Sequence, residues 1–260
     1  CRTLALTDLK LEIPAIMATA NHPPRQYAAK VVDVRSISHD VFRVELKLPR
    51  RRDVAFHAGQ YLSVILPGED PCYFSIASSP AAEHIELHIQ ASPDWVSARK
   101  GIDALTSGQD VTVELPNGKA CLAAAPDKPL LLVAAGTGFA QMKSLVEFLQ
   151  ETRYSHPVTL FWGVRKHEDM YLRSLAQQWH EDGSNFSFVP VVGDDEDNDW
   201  GGHHDQLVRA VLATGADWQN VEVHASGSPT MVYTLMDALL EKGLPAQAFF
   251  SDVLEYAPRA

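Results

Sequence analysis

From Pro129 to Phe139 the chain runs through seven uncharged residues, Pro-Leu-Leu-Leu-Val-Ala-Ala, into Gly136-Thr137-Gly138. A helix-patterned stretch follows from Ala140 to about Glu151. A strand, a glycine turn and a helix in immediate succession call for a parallel sheet. The same succession brings bare backbone N–H groups and a helix N-terminus up to a phosphate. The full dinucleotide fingerprint has a third glycine three positions after the second, where this chain has Gln141. The next apolar strand, 157–163, runs into Val164-Arg165-Lys166 rather than the acidic residue that holds a ribose hydroxyl. That basic end favours a phosphate-bearing ligand, including one with an extra 2′-phosphate; the plain alternative is an ordinary turn in any doubly wound sheet.

The alternation continues downstream. Strands are expected at 130–135, 158–163, 186–192, 221–225 and 248–252, and helices at 140–151, 171–181, 207–213 and 229–242. Upstream the pattern differs. Short strand-like segments at 28–35, 41–48, 59–66, 73–77, 84–90 and 110–115 are separated by turn residues. This predicts a two-domain chain: an antiparallel β-barrel over 27–124, then an α/β parallel-sheet domain over 125–260. Residues 1–26 read as a tail ending in a polar linker, Ala20–Gln26, and the acidic run Gly193–Trp200 reads as a solvated loop. Ligands of such sheets sit at the carboxyl ends of the strands, so the groove between the domains is the expected site.

Composition narrows the partners. A net charge of -11 argues against a general nucleic-acid binder, and no window has the apolar length of a membrane span. The dense basic run Arg50-Arg51-Arg52 reads as a solvated loop. Three cysteines, Cys1, Cys72 and Cys121, lack metal-ligand spacing, which suggests reduced thiols and a cytoplasmic home. Adjacent His203-His204 lack helical ligand spacing, and no metal is expected within the chain.

The second motif is Tyr73-Phe74-Ser75-Ile76-Ala77-Ser78. Aromatics beside a hydroxyl at a strand end can stack on a planar ring and hydrogen-bond its edge; the alternative is simple alternation with Phe74 in a barrel core. Ala58-Gly59-Gln60-Tyr61, this motif and Ile85-Glu86-Leu87-His88-Ile89 together resemble the flavin domain of the ferredoxin–NADP reductase superfamily. Pro116-Asn117-Gly118, Ala135–Phe139, Trp162–Arg165 and Ser226-Gly227-Ser228-Pro229-Thr230-Met231 continue the resemblance in order, over residues 27–256. The NAD(P)H–flavin reductase branch is the most similar subgroup.

The resemblance implies roles. Phe74 and Ser75 would lie against the isoalloxazine, with the Ser75 hydroxyl at flavin N5 as the catalytic contact and Tyr73 beside it. His88, Ile89 and Ser92 would line the ribityl chain. Gly136, Thr137 and Gly138 would carry the nicotinamide nucleotide's pyrophosphate, and Arg165 its ribose end. Gly227 and Met231 would close over the nicotinamide, and Asp252 and Tyr256 would lie near the flavin. The implied cofactors are FAD or FMN, held or exchanged as substrate, and NADH or NADPH. The implied reaction is hydride transfer between rings stacked at about 3–3.5 Å.

Departures from the family pattern also carry information. Cys72 stands where relatives place an Arg that grips flavin phosphate, which fits a loosely held flavin. His203 and Asp205 replace an Arg and a Gly, making nucleotide grip pH-dependent. Ser226 replaces a cysteine. Residues from Cys1 to Ile13 resemble the segment after the last ligand of a plant-type [2Fe–2S] domain, with Cys1 as a remnant ligand. Two further readings stay open. The chain is the reductase part of an electron-transfer flavoprotein serving an iron–sulfur centre, ferredoxin or oxygenase, or it is a nucleotide-binding module without turnover.

Overall fold

A computed structural model describes residues 22–49, 53–92, 95–107, 110–193 and 205–259. Cys1, Arg50–Arg52, His203–His204 and the acidic run from position 194 lie outside the described residues.

The first half folds as expected, into an antiparallel barrel. Its strands are β1 (Arg25–Ser36), β2 (Val41–Lys47), β3 (Tyr61–Ile65), β4 (Cys72–Ser75), β5 (Ile85–Gln90) and β6 (Val111–Asn117), in the order β4-β3-β6-β1-β2-β5. The edges of that sheet nearly meet: Ile76 bridges Leu87, and the Ala77 N–H donates to the Glu86 carbonyl at 2.7 Å. Arg25 and Gln26, expected in the linker, instead pair with Leu115 and Glu114 and extend β1.

A helix that periodicity did not predict, α1 (Val96–Thr106), covers the barrel. Its buried large apolar side chains among the described residues are Ile102 and Leu105, a stripe too short to stand out, and its Gly101 reads as a breaker. Gly101 is required by packing: a Cβ there would lie 3.0 Å from the Phe74 ring.

The second half is a parallel sheet of β7 (Leu130–Ala135), β8 (Val158–Val164), β9 (Phe186–Val192), β10 (Glu222–Ser226) and β11 (Phe249–Phe250), ordered β11-β10-β7-β8-β9. Helices α2 (Phe139–Glu151) and α3 (Arg173–Asp182) cover one face, and α4 (Asp205–Leu212) and α5 (Pro229–Glu241) the other. All of β7 is buried, as its uncharged run requires. The expected last strand shrinks to two residues. Ser251 Oγ accepts the Val253 N–H, and the chain turns into the short helix α6 (Val253–Tyr256).

Connections leave β7 for β8 and β9 on one side and return to β10 on the other. The topological switch point therefore lies between β7 and β10. The barrel docks at this end of the sheet. Ala58 and Leu122 of the barrel half share one apolar core with β7, β8, α2 and α3.

Candidate functional site

At the switch point the turns after β7 and β10 interlock. Gly136 has φ +54° and open space where a Cβ would stand. Gly138 has no such space: a Cβ would lie 2.2 Å from the Ser226 carbonyl oxygen. Gly227 is equally confined, 2.5 Å from Met231 Cε and 2.8 Å from Ala135 Cβ. The two turns are thus closely packed, and the N-terminus of α2 has no side-chain cap. The Thr137 hydroxyl has no hydrogen-bond partner among the described residues, and Trp162 Nε1 donates to the Gly136 carbonyl at 2.9 Å. Arg165 stands just past β8 at the same end of the sheet. An open glycine, a free hydroxyl and an uncapped helix start suit a pyrophosphate.

Gln141, in the place of the missing third glycine, belongs to the joint between the halves. Its Nε2 contacts the Gly59 carbonyl at 2.7 Å, the Ala120 carbonyl at 3.1 Å and Asp252 Oδ2 at 3.0 Å. Ser144, one turn on, donates to the Ser78 carbonyl at 2.8 Å. The fingerprint's third glycine serves close packing of helix on strand; here that turn is spent on binding the barrel.

Asp252 is only 9% exposed. Its Oδ1 has no partner and lies where a Cβ on Gly118 would be 2.7 Å away. Burial pushes its carboxyl up to about 7, and Glu255 adds to the shift against hydrogen bonds from the Ala120 backbone and Gln141. The same Gly118 Cβ would meet the Tyr61 ring at 2.9 Å, so Tyr61, Gly118 and Asp252 form one contact. Tyr61 pairs with Ser75 across β3 and β4, and its ring stands edge-on to Tyr73 at 5.9 Å. Burial, with Asp252 and Glu255 adding, pushes the Tyr61 hydroxyl up to about 12.

A continuous series of contacts therefore runs from the Ser75 strand through Tyr61, Gly118, Asp252 and Gln141 to the helix that starts at the glycine turn. Tyr73 and Tyr256 are both 62% exposed, which leaves aromatic surface open beside this series. The half-buried Ser75 hydroxyl has no hydrogen-bond partner among the described residues. Exposed rings around a free hydroxyl suit a flat heteroaromatic ligand. Phe74 is half-buried and turned to α1, and Cys72 is buried beside it.

Three expected contacts lie elsewhere. Every residue of β5 except Gln90 is buried, because one face lines the barrel core and the other meets α2. Ile89 is in the core. His88 is enclosed in the joint: its Nε2 is 2.7 Å from Glu86 Oε1, and its Nδ1 is 3.1 Å from the Tyr171 hydroxyl. Burial pushes His88 down, and this outweighs Glu86. Burial alone would raise Glu86; His88, Lys143 and Arg43 overcome it and hold the carboxylate far below its ordinary range. The network thus holds an ionised Glu86 and a neutral His88 whose Nε2–H donates to it. Burial also raises Tyr171 well above its ordinary value. Neither the His88 nor the Ile89 side chain faces open space, and the Ser92 hydroxyl is spent on Asp40 at 2.7 Å. The polar side chains of β5, Glu86 and His88, belong to a joint between the domains. Cys121 is half-buried, with its thiol pushed up to about 12 by burial, and is unreactive.

Residues that sequence reasoning left out of the site are Tyr61, Gly118, Gln141 and Tyr171. Gln141 had a signal, its place in the fingerprint. The others had none beyond their motifs.

Comparison with known proteins agrees with this geometry. The Oxidoreductase FAD-binding domain family matches residues 28–121, and the Oxidoreductase NAD-binding domain family matches residues 132–236. Terephthalate 1,2-dioxygenase, reductase component 1, from a Comamonas species is 28% identical over 259 residues, 99% of this chain and 77% of that protein. The NAD(P)H-flavin reductase of Aliivibrio fischeri is 29% identical over 234 residues, 87% of this chain and 98% of the relative. The structure of Amycolatopsis cytochrome P450 reductase GcoB superposes with a TM-score of 0.77 at 25% identity, covering 89% of this chain and 70% of that chain. With a flavin-type barrel docked on the switch point of a nucleotide-type sheet, the chain belongs to the ferredoxin reductase superfamily, as an NAD(P)H-dependent flavin oxidoreductase.

Proposed function

We propose that this chain is an NAD(P)H–flavin reductase whose flavin is loosely held, with Ser75 as the residue that touches the reacting atoms. The observation that carries the reading is the unpartnered Ser75 hydroxyl beside the exposed Tyr73 ring, joined through Tyr61 and Asp252 to the glycine-turn helix. When bound, the two cofactors supply the hydride donor and acceptor. Ser75 orients the flavin edge and donates a hydrogen bond to charge developing there. Gly136, Thr137 and Gly138 hold the nucleotide through backbone, and Gly227 and Met231 narrow the space above. Arg165 and Lys166 favour a 2′-phosphate, and hence NADPH. The buried Cys72, in place of a phosphate-gripping arginine, supports release of the flavin. A reduced-thiol compartment, the cytoplasm, fits Cys72 and Cys121, which are free thiols among the described residues. No described helix is long and apolar enough to cross a membrane.

The test is NAD(P)H oxidation with FMN, FAD or riboflavin added. Turnover should rise and saturate with flavin, and Ser75→Ala should lower kcat about a hundredfold. Absence of flavin-dependent oxidation at any concentration would sink the reading. The Comamonas relative is named as a dioxygenase reductase component, which favours a second reading in which electrons pass on to a redox protein. Tightly retained flavin, with turnover that requires an added iron–sulfur protein, would select it.

A further inference from the structure

Residues 252–259 form a strap that touches both domains. Asp252 is buried against Gly118 and receives Gln141 Nε2 at 3.0 Å. Glu255 reaches Lys119 of the barrel half at 4.0 Å. The strap then returns to α5, where Arg259 is caught on three sides. Its Nη1 donates to both carboxylate oxygens of Asp237, at 2.8 and 2.7 Å, and the guanidinium lies 4.1 Å from the centre of the Tyr233 ring. Its backbone N–H donates to the Tyr233 hydroxyl at 3.1 Å, and that hydroxyl donates to the Ala257 carbonyl at 2.8 Å. Tyr233 and Asp237 are one helical turn apart, so a single face of α5 reads the arginine.

Two facts make this more than a surface ion pair. The helix that holds Arg259 is the one that begins at the Gly227–Ser228 turn, where Ser228 caps the Met231 N–H at 3.2 Å. The span between the two anchors, Asp252 and Arg259, carries the exposed Tyr256 ring. The strap that carries the ring is thus tied to the helix that carries the turn, and Arg259 is the fixing point farther from the buried end.

We propose that Arg259 is a positioning residue: clamped by Tyr233 and Asp237, it holds the strap so that Tyr256 borders the reacting end of the cleft in fixed register with the Gly227 turn. This rests on the functional reading above for what the cleft holds, but not for the clamp itself. The ion pair with Asp237 is half-exposed, and such pairs contribute little to stability, so the fold should survive its loss while the strap loosens.

The test compares wild type with Arg259→Ala, Asp237→Ala, the double variant and Arg259→Lys. Hydrogen exchange should rise in residues 252–259 of Arg259→Ala and stay unchanged in α2 and β7. With saturating FMN, kcat should fall about three- to tenfold while KM for NADPH moves less than about twofold, because the phosphate turn is untouched. The double variant should match Arg259→Ala, and Arg259→Lys should recover part of kcat. Unchanged exchange in the strap, unchanged kcat, or additive losses in the double variant would overturn the proposal. If wild type oxidises no NADPH with any flavin, the functional reading fails and with it Tyr256's place at a reacting end; increased strap exchange in the variant would still establish the clamp.

Discussion

The two walls of the cleft are built differently. The wall we assign to the nucleotide is closely packed: a Cβ on Gly138 would meet the Ser226 carbonyl, and one on Gly227 the side chains of Met231 and Ala135. The wall we assign to the flavin is made of side chains, with Tyr73 and Tyr256 largely exposed and Ser75 free. A closely packed wall tolerates almost no substitution. A wall of side chains can be changed residue by residue.

The largest expected effect comes from breaking the first wall. Gly138→Ala forces the Ser226 carbonyl away, and overpacking of this kind costs about 1–3 kcal/mol. It should lower kcat/KM for NAD(P)H by up to about a hundredfold, read by steady-state kinetics. Gly136→Ala is the control, since only its left-handed backbone is strained, at about 1 kcal/mol. A loss at Gly136 equal to that at Gly138 would show that backbone angle, not packing, makes the wall.

Next comes the joint behind both walls. Gln141→Leu leaves the Gly59 and Ala120 carbonyls and Asp252 without their shared donor. Stability should fall by about 2–3 kcal/mol in urea unfolding. An unchanged midpoint would mean that Gln141 is a passive replacement for glycine.

Asp252→Asn separates the walls by pH. The wild-type carboxyl titrates at about 7 when folded and in the ordinary range when unfolded, so folding takes up a proton between those values. The contribution of this carboxyl to stability is therefore fullest in acid and declines as pH rises from about 4 through about 7. The asparagine variant lacks that decline, so its stability relative to wild type should grow across the window and level off above it. Parallel stability profiles would place the titration elsewhere.

The smallest effect on the fold belongs to the flavin wall. Tyr73→Ala should shift stability by less than about 0.5 kcal/mol, as for other exposed positions. It should weaken flavin affinity several-fold in a fluorescence titration. A large loss of stability would mean that the ring is structural.

Much of this was legible in the chain because the responsible residues act locally. Uncharged Leu130–Ala135 could only be a strand covered on both faces, and β7 is one. The Gly136–Gly138 turn and the Gly227 turn sit at matching strand ends for the same reason. What stayed hidden depends on partners far along the chain. The buried state of His88 is set by Tyr171 and by Lys143, through Glu86, and α1 is held by the Phe74 ring across from Gly101. Asp252 meets Gln141 across more than a hundred residues, a contact that no local pattern announces.

The shared apolar core that takes Ala58 and Leu122 into the α/β half has a consequence for exchange of parts. The barrel is not a detachable cassette: a graft from a relative would need matching residues at 58, 122, 141 and 252. The two halves should melt together, in one calorimetric transition, and a hybrid that ignores the seam should show two.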